Sequence, residues 1–462
     1  MIPFILSDKV LKELQSILDK GELLVSESEV LTYSYDASSL TKKPSAVILP
    51  EKKEEVIEIL KIAQKYKIPI TPRGAGTATT GSAIAHTGGL ILCFTKMNRI
   101  LELNEEERIV RVQPGVVNGD LKKYLKKYGL FYPPDPASFS FSTIGGNVAT
   151  GAGGPKGLKY GTTKDYVISL EVVLPGGKVF QTGPPTLKGV VPYNLTSLFV
   201  GSEGTLGVFT EIILKVVPLP EKRLLFISGH MKEEEPLEII SELLKRKITP
   251  SSAEFVDKTS FSALKLTIKD EKFKTFYRFN SLLFLELDGD ESSLKKEEKI
   301  VENFYKDSEI YFIKAKEETE IEDFWEIRRS ISPALKVLGE RKISDDVVVP
   351  RRFMKILLYK IREIEKEAQL NISCFGHAGD GNFHVDIHFN PDKERQAILA
   401  REKILKEVLS LSGTISGEHG IGYTKRSFVS LELTPLQIEI MKRIKKIFDP
   451  DGILNPQIKL LD

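Results

Sequence analysis

The fold assignment rests on one stretch of sequence, Ile68-Pro69-Ile70-Thr71-Pro72-Arg73-Gly74-Ala75-Gly76-Thr77. A short apolar run ends here in a glycine-rich turn, and glycine permits both tight dihedral angles and close approach of a ligand to the backbone. Free N–H groups in such a turn can bind an anion. The stretch matches neither the dinucleotide-binding fingerprint nor the P-loop pattern. It therefore predicts a phosphate-binding loop of another kind, or an ordinary tight turn.

The residues before this turn predict a β-α-β unit. Residues 8–20 have helical spacing, with Ser7 placed as the N-cap. Residues 46–50 are typical of a buried strand, residues 53–66 of an amphipathic helix, and residues 68–72 of the strand that enters the turn.

Two more glycine-rich segments follow, at residues 143–154 and 201–208. Each one alone is typical of a tight turn. Three such loops within residues 70–210 instead favour one long polar ligand that is contacted through the backbone. A dinucleotide fits that description.

Length and composition limit the class of protein. A chain of 462 residues exceeds what one hydrophobic core usually supports, so we expect two or more domains. A net charge of +2 gives no basis for nucleic acid as a partner. Cys93 and Cys374 cannot form a disulfide framework, which favours a reducing compartment. Residues 1–6 do not make a secretory signal, and no apolar run of about 18 residues predicts a transmembrane segment. We therefore expect a cytoplasmic protein.

Four of the six histidines lie between residues 377 and 419: His377, His384, His388 and His419. Asp380-Gly381 is typical of a hairpin turn, so His377 and His384 can face each other from two paired strands. Two imidazoles and a carboxylate form a three-ligand metal site that leaves a position open for substrate. Hydrogen-bonded core histidines near turns are the alternative.

Five spaced motifs together resemble the FAD-binding domain of the vanillyl-alcohol-oxidase or PCMH-type flavoproteins. They are Pro72-Arg73-Gly74-x-Gly76-Thr77, Pro133-Pro134-Asp135-Pro136, Thr143-Ile144-Gly145-Gly146-Asn147, Tyr160-Gly161 and Gly201-Ser202-Glu203-Gly204-Thr205-Leu206-Gly207. From about residue 40 to its end, the chain is similar to the branch of the glycolate oxidase catalytic subunit, D-lactate dehydrogenase and D-2-hydroxyglutarate dehydrogenase.

This resemblance implies an α+β fold with four segments. Residues 1–44 would form a helical segment, residues 45–218 a two-lobed PCMH-type FAD-binding domain, and residues 219–415 a substrate domain built on an antiparallel sheet with helices. Residues 416–462 would form a C-terminal segment that returns to the flavin and completes the active site.

The resemblance also implies which residues contact FAD. They are Arg73, Gly74, Ala75, Gly76, Thr77, Gly81, Ser82, Pro136, Ser138, Thr143, Gly145, Gly146, Gly153, Glu203, Gly207, Val208 and Asn455. Some relatives carry a histidine in the first loop that bonds covalently to the flavin. Thr77 stands near that point here, so we expect non-covalent FAD.

For the second site the resemblance implies His377, His384 and Glu418 as metal ligands and His419 as the catalytic base. Zinc is favoured for these ligands, and manganese and iron also suit them. Arg328 is implied as the catalytic-site anchor of the substrate carboxylate, because a guanidinium can grip a carboxylate through two hydrogen bonds. A solvated arginine on a charged helix is the alternative.

Neighbouring residues receive lesser roles. Arg329 is expected to face solvent, while Ser332, on the same helical face as Arg328, would add a substrate hydrogen bond. The other assignments are Lys425 as a weaker substrate-binding candidate, His388 as structural or as a support for a metal ligand, and His86 and His230 as surface residues.

The proposed chemistry explains why both a metal and a base are needed. An alcohol proton has a pKa of roughly 16 and histidine one near 6.5, a gap worth roughly 13 kcal/mol. A bound divalent metal can close most of that gap. The hydroxyl proton would then pass to His419 while hydride leaves the α-carbon for flavin N5.

Two positions limit which 2-hydroxy acids we expect as substrates. Relatives that act on 2-hydroxyglutarate have a lysine where this chain has Ser344, two residues before Asp346, and an asparagine where it has Asp386. A second carboxylate on the substrate would therefore lack the lysine that those relatives provide and would lie near the negative charge of Asp386. We therefore expect a small D-2-hydroxy monocarboxylic acid such as D-lactate or glycolate.

Two other functions stay open. In the first, the chain is the FAD subunit of a larger oxidase. Its iron–sulfur cluster would belong to a partner protein, because two cysteines cannot hold a cluster. In the second, the chain is a non-redox transferase that resembles alkyl-dihydroxyacetonephosphate synthase. The sequence leaves four electron acceptors open: an iron–sulfur subunit, a quinone, a cytochrome and an electron-transfer flavoprotein. It also leaves open whether the chain forms a homodimer. Any contact with a membrane is expected to be peripheral and to occur through a partner.

Overall fold

The strand that enters the glycine-rich turn belongs to the first of two structural units. The computed structural model describes residues 4–460. The first unit takes in the chain up to Gly153, residues 162–219 and the chain from Glu418 onward; the second takes in residues 154–161 and 220–417. Residues 1–3 and 461–462 of the predicted terminal segments lie outside the described residues, and the four predicted segment boundaries stay a prediction.

Helices and strands follow one another along both units. In chain order the helices are α1 (Asp8–Ser16), α2 (Glu27–Leu31), α3 (Lys53–Tyr66), α4 (Asn118–Lys126), α5 (Ile144–Thr150), α6 (Gly157–Tyr160), α7 (Leu195–Phe199), α8 (Glu235–Lys245), α9 (Lys258–Thr267), α10 (Glu271–Lys274), α11 (Glu291–Asp307), α12 (Glu318–Arg329), α13 (Ile331–Ala334), α14 (Met354–Ala368), α15 (Glu394–Ser410), α16 (Val429–Glu432) and α17 (Pro435–Phe448). The strands of the first unit are β1 (Glu22–Leu24), β2 (Ala46–Leu49), β3 (Ile70–Arg73), β4 (Leu90–Cys93), β5 (Ile100–Asn104), β6 (Ile109–Val112), β7 (Leu130–Phe131), β8 (Val167–Val173), β9 (Val179–Gln181), β10 (Val208–Lys215) and β11 (Val217–Pro218). Those of the second are β12 (Lys222–His230), β13 (Ser252–Val256), β14 (Ser281–Gly289), β15 (Tyr311–Ala315), β16 (Arg341–Val348), β17 (Asn371–His377) and β18 (Asn382–Phe389).

The first unit contains two larger sheets, in agreement with the expected two lobes. One has the strand order β1-β2-β4-β3, with β2, β4 and β3 parallel and β1 antiparallel at the edge. The other is antiparallel, in the order β5-β6-β10-β8-β9. Apolar residues of β2, α3, β3 and β4 share one core with Leu454 near the C-terminus.

The predicted β-α-β unit is confirmed, because β2, α3 and β3 occupy the expected residues. Ser7 caps α1 as predicted, but α1 ends at Ser16 instead of continuing to residue 20. The backbone N–H groups of residues 19–21 donate to the Glu55 carboxylate of α3 at 2.9–3.0 Å, so they are not available to extend the helix.

One antiparallel sheet organises the second unit, in the order β15-β12-β14-β13-β17-β18-β16. Apolar residues of this sheet and of α9, α12 and α13 form its core, among them Phe284, Trp325 and Phe375. The combination of helices with antiparallel sheets confirms the α+β class. Within residues 4–460, no helix is both long enough and apolar enough to span a bilayer.

Candidate active site

All of the residues predicted to contact FAD lie in the first unit. The 73–77 turn follows β3, and its glycines are required by close contacts. A Cβ on Gly74 would lie 2.2 Å from the Thr143 Oγ1 atom, and one on Gly76, whose φ is +73°, would lie 2.1 Å from the Arg73 Nη2 atom. Thr143 is the N-cap of α5 and accepts a hydrogen bond from the Gly146 N–H. Two predicted cofactor segments therefore pack directly against each other.

The side chain of Arg73 is buried and points away from solvent. Its Nη1 group donates to the carbonyl oxygen of Ala83 at 2.9 Å. Ala83 directly follows Gly81 and Ser82, so this hydrogen bond joins the 73–77 turn to two further residues predicted to contact FAD.

Three buried polar atoms of the first unit fit a polar cofactor. Asn147 Nδ2, Ser202 Oγ and Asn455 Oδ1 have no hydrogen-bond partner among residues 4–460. Such an atom costs about 1–3 kcal/mol unless a ligand or solvent completes its bonding. All three residues lie in or next to segments that the sequence predicts to contact FAD.

Asn455 connects the C-terminal segment to three other parts of the first unit. Its N–H donates to the Ile70 carbonyl at 2.7 Å, and its side-chain amide donates to the carbonyls of Ser82 and Glu203 at 2.9 and 2.8 Å. The predicted return of the C-terminus to the cofactor segments thus has a defined set of hydrogen bonds.

Glu203 holds the turn that follows His419. Its fully buried carboxylate accepts from the N–H groups of Ile421 and Gly422 at 3.0 and 2.7 Å, and from Lys459 Nζ at 3.3 Å. The sequence predicts that Glu203 contacts the cofactor. The structure shows its side chain hydrogen-bonded to the backbone of this turn.

His419 and Glu418 are neighbours in the first unit, with 3.8 Å between His419 Nε2 and Glu418 Oε1. The His419 carbonyl accepts from Thr80 Oγ1 at 3.4 Å. A Cβ on Gly153 would lie 2.4 Å from Glu418 Oε2, so Gly153 makes room for that carboxylate.

His86, which the sequence assigns to the surface, is half-buried. Its ring stacks on Tyr423 with centroids 3.9 Å apart, and Nε2 lies 2.7 Å from the Gly81 carbonyl oxygen. Burial lowers the pKa of His86. Lys425, two residues after Tyr423, is also buried.

In the second unit, His377 and His384 face each other as predicted. β17 and β18 pair in antiparallel fashion through a turn at Gly381, whose φ is +82°. The two imidazoles are perpendicular, with centroids 5.0 Å apart. Gly376 lies between them, and a Cβ there would come within 3.1 Å of the His384 ring.

Glu254 is a site residue that the sequence did not reveal. It lies on β13 directly opposite His377 and is completely buried. Its Oε1 atom is 2.6 Å from His377 Nδ1, and its Oε2 atom accepts from Arg328 Nη2 at 2.5 Å. Burial alone would raise the pKa of Glu254, but the adjacent His377 and Arg328 outweigh burial and hold the pKa at about 2. The carboxylate is therefore ionised.

Arg328 and Arg329 differ as expected. Arg328 is buried, with its guanidinium 5.2 Å from the centroid of Phe375, and Arg329 is exposed. The continuous helix expected to place Ser332 beside Arg328 is wrong. α12 ends at Arg329, and Ser332 is exposed on the separate helix α13, where it receives a hydrogen bond from Lys342 at 3.5 Å. Pro333 has no N–H to donate to the carbonyl of Arg329, the residue at which α12 ends.

The chain directly before Glu418 is tied to the histidine sheet. The Gly417 N–H donates to Asp346 Oδ2 at 2.8 Å, and Ser416 Oγ to Asp346 Oδ1 at 3.1 Å. Asp346 is the β16 residue opposite His384.

The sequence predicts a negative charge and no nearby cation at the two positions that select the substrate, and the structure adds a cation beside them. Ser344 and Asp386 face each other on β16 and β18. However, Lys342 Nζ lies 3.1 Å from Asp386 Oδ2, so a cation is present beside this anion.

The remaining two histidines of the second unit are both buried, and each lies beside a serine hydroxyl. His388 is buried and lies 3.2 Å from the Ser373 hydroxyl, as a structural role requires. The surface assignment of His230 is wrong, because it is buried on β12 and bonded to the Ser228 hydroxyl at 2.8 Å. Burial lowers the pKa of His230 to about 4.

Two family models match most of the chain. Residues 44–183 match the "FAD binding domain" family, and residues 220–458 match "FAD linked oxidases, C-terminal domain". The chain is 40% identical to the glycolate oxidase subunit GlcD of Bacillus subtilis, covering 92% of this chain and 91% of that one. It is 33% identical to D-lactate dehydrogenase of Anaerostipes hadrus, covering 97% and 96%.

Solved structures share the fold at low identity. p-Cresol methylhydroxylase with substrate bound superposes with a TM-score of 0.81 at 19% identity, covering 99% of this chain and 98% of that one. Alkyldihydroxyacetonephosphate synthase superposes with a TM-score of 0.77 at 20% identity, covering 99% and 86%. These matches confirm the PCMH-type fold predicted from the sequence.

Proposed function

Because the chain belongs to the family of FAD-linked oxidases and is an FAD-dependent oxidoreductase, we propose that it oxidises a small D-2-hydroxy acid to the 2-oxo acid. D-lactate and glycolate are the substrates we favour, and the names of its relatives support this class. The observation that carries the proposal is the buried chain of contacts from Arg328 through Glu254 to His377, with His384 facing His377.

Arg328 is the proposed anchor of the substrate carboxylate. Its guanidinium is buried and oriented by Glu254, and its Nε atom has no hydrogen-bond partner among the described residues. A buried arginine with an unused donor suits an incoming carboxylate, since arginine binds such groups through several N–H donors at once.

His377, His384 and Glu418 are the proposed ligands of a divalent metal ion. Two imidazoles and a carboxylate are the donor set that zinc, manganese and iron accept. The acceptor next to His377 Nδ1 supports this assignment, because metal-binding histidines usually donate their second N–H to a carboxylate or carbonyl. The ion would lower the pKa of the substrate hydroxyl.

His419 is the proposed base that takes the hydroxyl proton. FAD, when bound, would supply the acceptor for the hydride that leaves the α-carbon. The substrate loses one proton and one hydride, and the 2-oxo acid remains.

FAD is proposed to be held without a covalent bond, with Thr77 near the point where some relatives attach the flavin through histidine. After denaturation and precipitation the flavin should stay in the supernatant. Flavin that precipitates with the polypeptide would contradict this part of the proposal.

A second arrangement, in which the chain is one subunit of a larger enzyme, is supported by the Bacillus subtilis relative, which is named as a subunit of glycolate oxidase. In that arrangement the chain passes electrons to an iron–sulfur partner. Cys93 and Cys374 are both buried, so such a cluster would belong to the partner. Co-purification with a cysteine-rich protein separates this case from transfer to a quinone, a cytochrome or an electron-transfer flavoprotein.

Anaerobic reduction of the bound flavin tests the proposed function directly. The purified protein is mixed with a panel of D- and L-2-hydroxy acids, before and after treatment with a chelator, and bleaching of the flavin band near 450 nm is followed. We expect bleaching by small D-acids or glycolate that chelation abolishes. Equal bleaching after complete removal of metal would exclude the metal role, and no bleaching by any hydroxy acid would exclude the substrate class.

A further inference from the structure

We infer that Glu254 is a positioning residue that fixes two parts of the active site at once, the imidazole of His377 and the guanidinium of Arg328. The inference rests on the proposed function, in which His377 binds metal and Arg328 binds the substrate carboxylate. It concerns a residue from a strand that carries neither of these groups.

The geometry of Glu254 supports a dedicated role. The residue is completely buried in the interior strand β13, between β14 and β17. Each carboxylate oxygen has its own partner, His377 Nδ1 for Oε1 and Arg328 Nη2 for Oε2. A buried carboxylate is costly unless it is paired and hydrogen-bonded, and these two contacts satisfy that requirement.

The contact with His377 determines which ring nitrogen carries the proton. An ionised carboxylate accepts but cannot donate, so Nδ1 carries a proton and Nε2 is the ring nitrogen that can offer a lone pair to a metal. An ionised partner also makes the imidazole more basic and therefore a stronger metal ligand. Glu254 thus prepares His377 for coordination through Nε2.

The contact with Arg328 orients the guanidinium plane. Arg328 is also held over the ring of Phe375, the β17 residue two before His377. With one edge bonded to Glu254, the plane and direction of the other donors are set before substrate arrives. A shift of the Glu254 carboxylate would therefore disturb the substrate anchor and the metal ligand together.

A neutral amide cannot replace this carboxylate. Both partners are donors, whereas glutamine offers one acceptor oxygen and one donor NH₂ group. In Glu254→Gln one of the two contacts must be lost, although the size and shape of the side chain hardly change. Glu254→Asp keeps the charge but retracts it by one methylene.

Glu286 provides a matched control. It is also completely buried, on the adjacent strand β14 of the same sheet, and pairs with Lys156 and Arg223. It accepts from Trp325 of α12, the helix that carries Arg328, at 2.6 Å. Glu286→Gln therefore removes a similar buried charge near the same helix without removing either Glu254 contact.

The experiment uses the FAD-loaded protein after chelation, titrated with Zn²⁺ alone against a chelating dye. We expect Glu254→Gln to weaken Zn²⁺ binding about 10- to 100-fold, Glu254→Asp to be intermediate, and Glu286→Gln to stay within about twofold of the unmodified protein. The KM for D-lactate should rise in Glu254→Gln through loss of Arg328 orientation, beyond the change in Glu286→Gln.

A second measurement reports the tautomer without metal or substrate. Nitrogen NMR of the metal-free, FAD-loaded protein, with His377 assigned through a His377→Asn variant, should show Nδ1 protonated in the unmodified protein and an altered pattern in Glu254→Gln. Unchanged Zn²⁺ affinity together with an unchanged His377 signal would overturn the inference. Failure of the unmodified protein to bind Zn²⁺ would count against the proposed metal, while the NMR result would still decide the role of Glu254.

Discussion

The carboxylate of Glu203 accepts a hydrogen bond from the backbone N–H of Gly422 at 2.7 Å, and so connects a glycine-rich loop to the turn three residues after His419. Ile421 donates to the same carboxylate at 3.0 Å. Because the 420–422 turn directly follows His419, its conformation limits the positions that the imidazole can take.

The first prediction follows from this contact. Glu203→Gln replaces one acceptor oxygen by a donor and should release part of the turn. Hydrogen bonds to charged groups contribute about 1.5–3 kcal/mol, so we expect kcat to fall about 10- to 100-fold with FAD content unchanged. Steady-state kinetics with flavin quantification checks this. Glu211→Gln, which alters a carboxylate paired with Arg111 in the same unit, should have little effect. Normal turnover in Glu203→Gln would refute the role.

The second prediction separates the two kinds of histidine on β18. His384→Gln should abolish stoichiometric metal, because it removes a proposed ligand, whereas His388→Gln should retain it. Both residues lie on the same strand and the same face, but His388 is bonded to the Ser373 hydroxyl. Metal content per FAD, measured by mass spectrometry of the purified proteins, distinguishes them. Equal metal content in the two variants would contradict the assignment.

The third prediction compares adjacent arginines. Arg328→Lys keeps the charge but loses the planar fork that Glu254 orients, and should raise the KM for D-lactate about 10- to 100-fold. Arg329→Lys alters an exposed side chain and should leave KM within about twofold. Kinetics at saturating electron acceptor measure both. If the exposed position gave the larger effect, the anchor would have been assigned to the wrong arginine.

The fourth prediction concerns substrate selectivity. Asp386 would repel a second substrate carboxylate, and Lys342 offsets this repulsion only in part because its side chain is 43% exposed. Asp386→Asn should therefore raise kcat/KM for D-2-hydroxyglutarate relative to D-lactate by about tenfold or more. Dye-reduction assays with the two acids provide the ratio. A ratio already above one in the unmodified protein would overturn the expected preference for small acids.

The fifth prediction is a pH dependence of stability. His230 has a pKa of about 4 in the folded protein, against an ordinary value of 6.5, because it is buried; Glu235 is the charged group close to it, at 3.7 Å. Above pH 6.5 the histidine is neutral in both states. Between pH 6.5 and 4 the unfolded chain takes up a proton that the folded chain refuses, so the free energy of unfolding falls by roughly 3 kcal/mol.

His230→Gln should remove this part of the pH dependence. The measurement is denaturant unfolding at pH 7.5 and pH 4.5, comparing the change in stability of the two proteins. The exposed residue Asp307 offers a control through Asp307→Asn, which should keep the original slope. The same slope in His230→Gln as in the unmodified protein would show that His230 is not its cause.

Local pattern predicted the elements whose neighbours along the chain determine them. β2, α3 and the hairpin between His377 and His384 depend on apolar spacing and turn residues, and each was found where expected. The end of α1 was missed because Glu55, distant in sequence, takes the N–H groups that a longer helix would need. The break after α12 had a signal in Pro333 that the spacing argument overlooked.

The sequence predicted less of the candidate active site than of the fold. The family motifs led to His377, His384 and Arg328, but Glu254 is 123 residues from His377 and 74 from Arg328. The one local hint was a single carboxylate in the apolar run Ala253-Glu254-Phe255-Val256. A charged residue in such a strand requires a buried partner, yet nothing in the spacing indicates which residue that partner is.

The hydrogen bonds from Ile70 to Ile453 and from Asn455 to Ile70 have a consequence for biosynthesis. Residues 453–455 extend the sheet edge at β3, which is made early, yet the ribosome adds them only after every residue of the second unit. The nascent first unit therefore lacks the neighbour of β3 and the core residues Ile453 and Leu454 until some two hundred further residues have emerged. We expect FAD to bind only after these residues have been added.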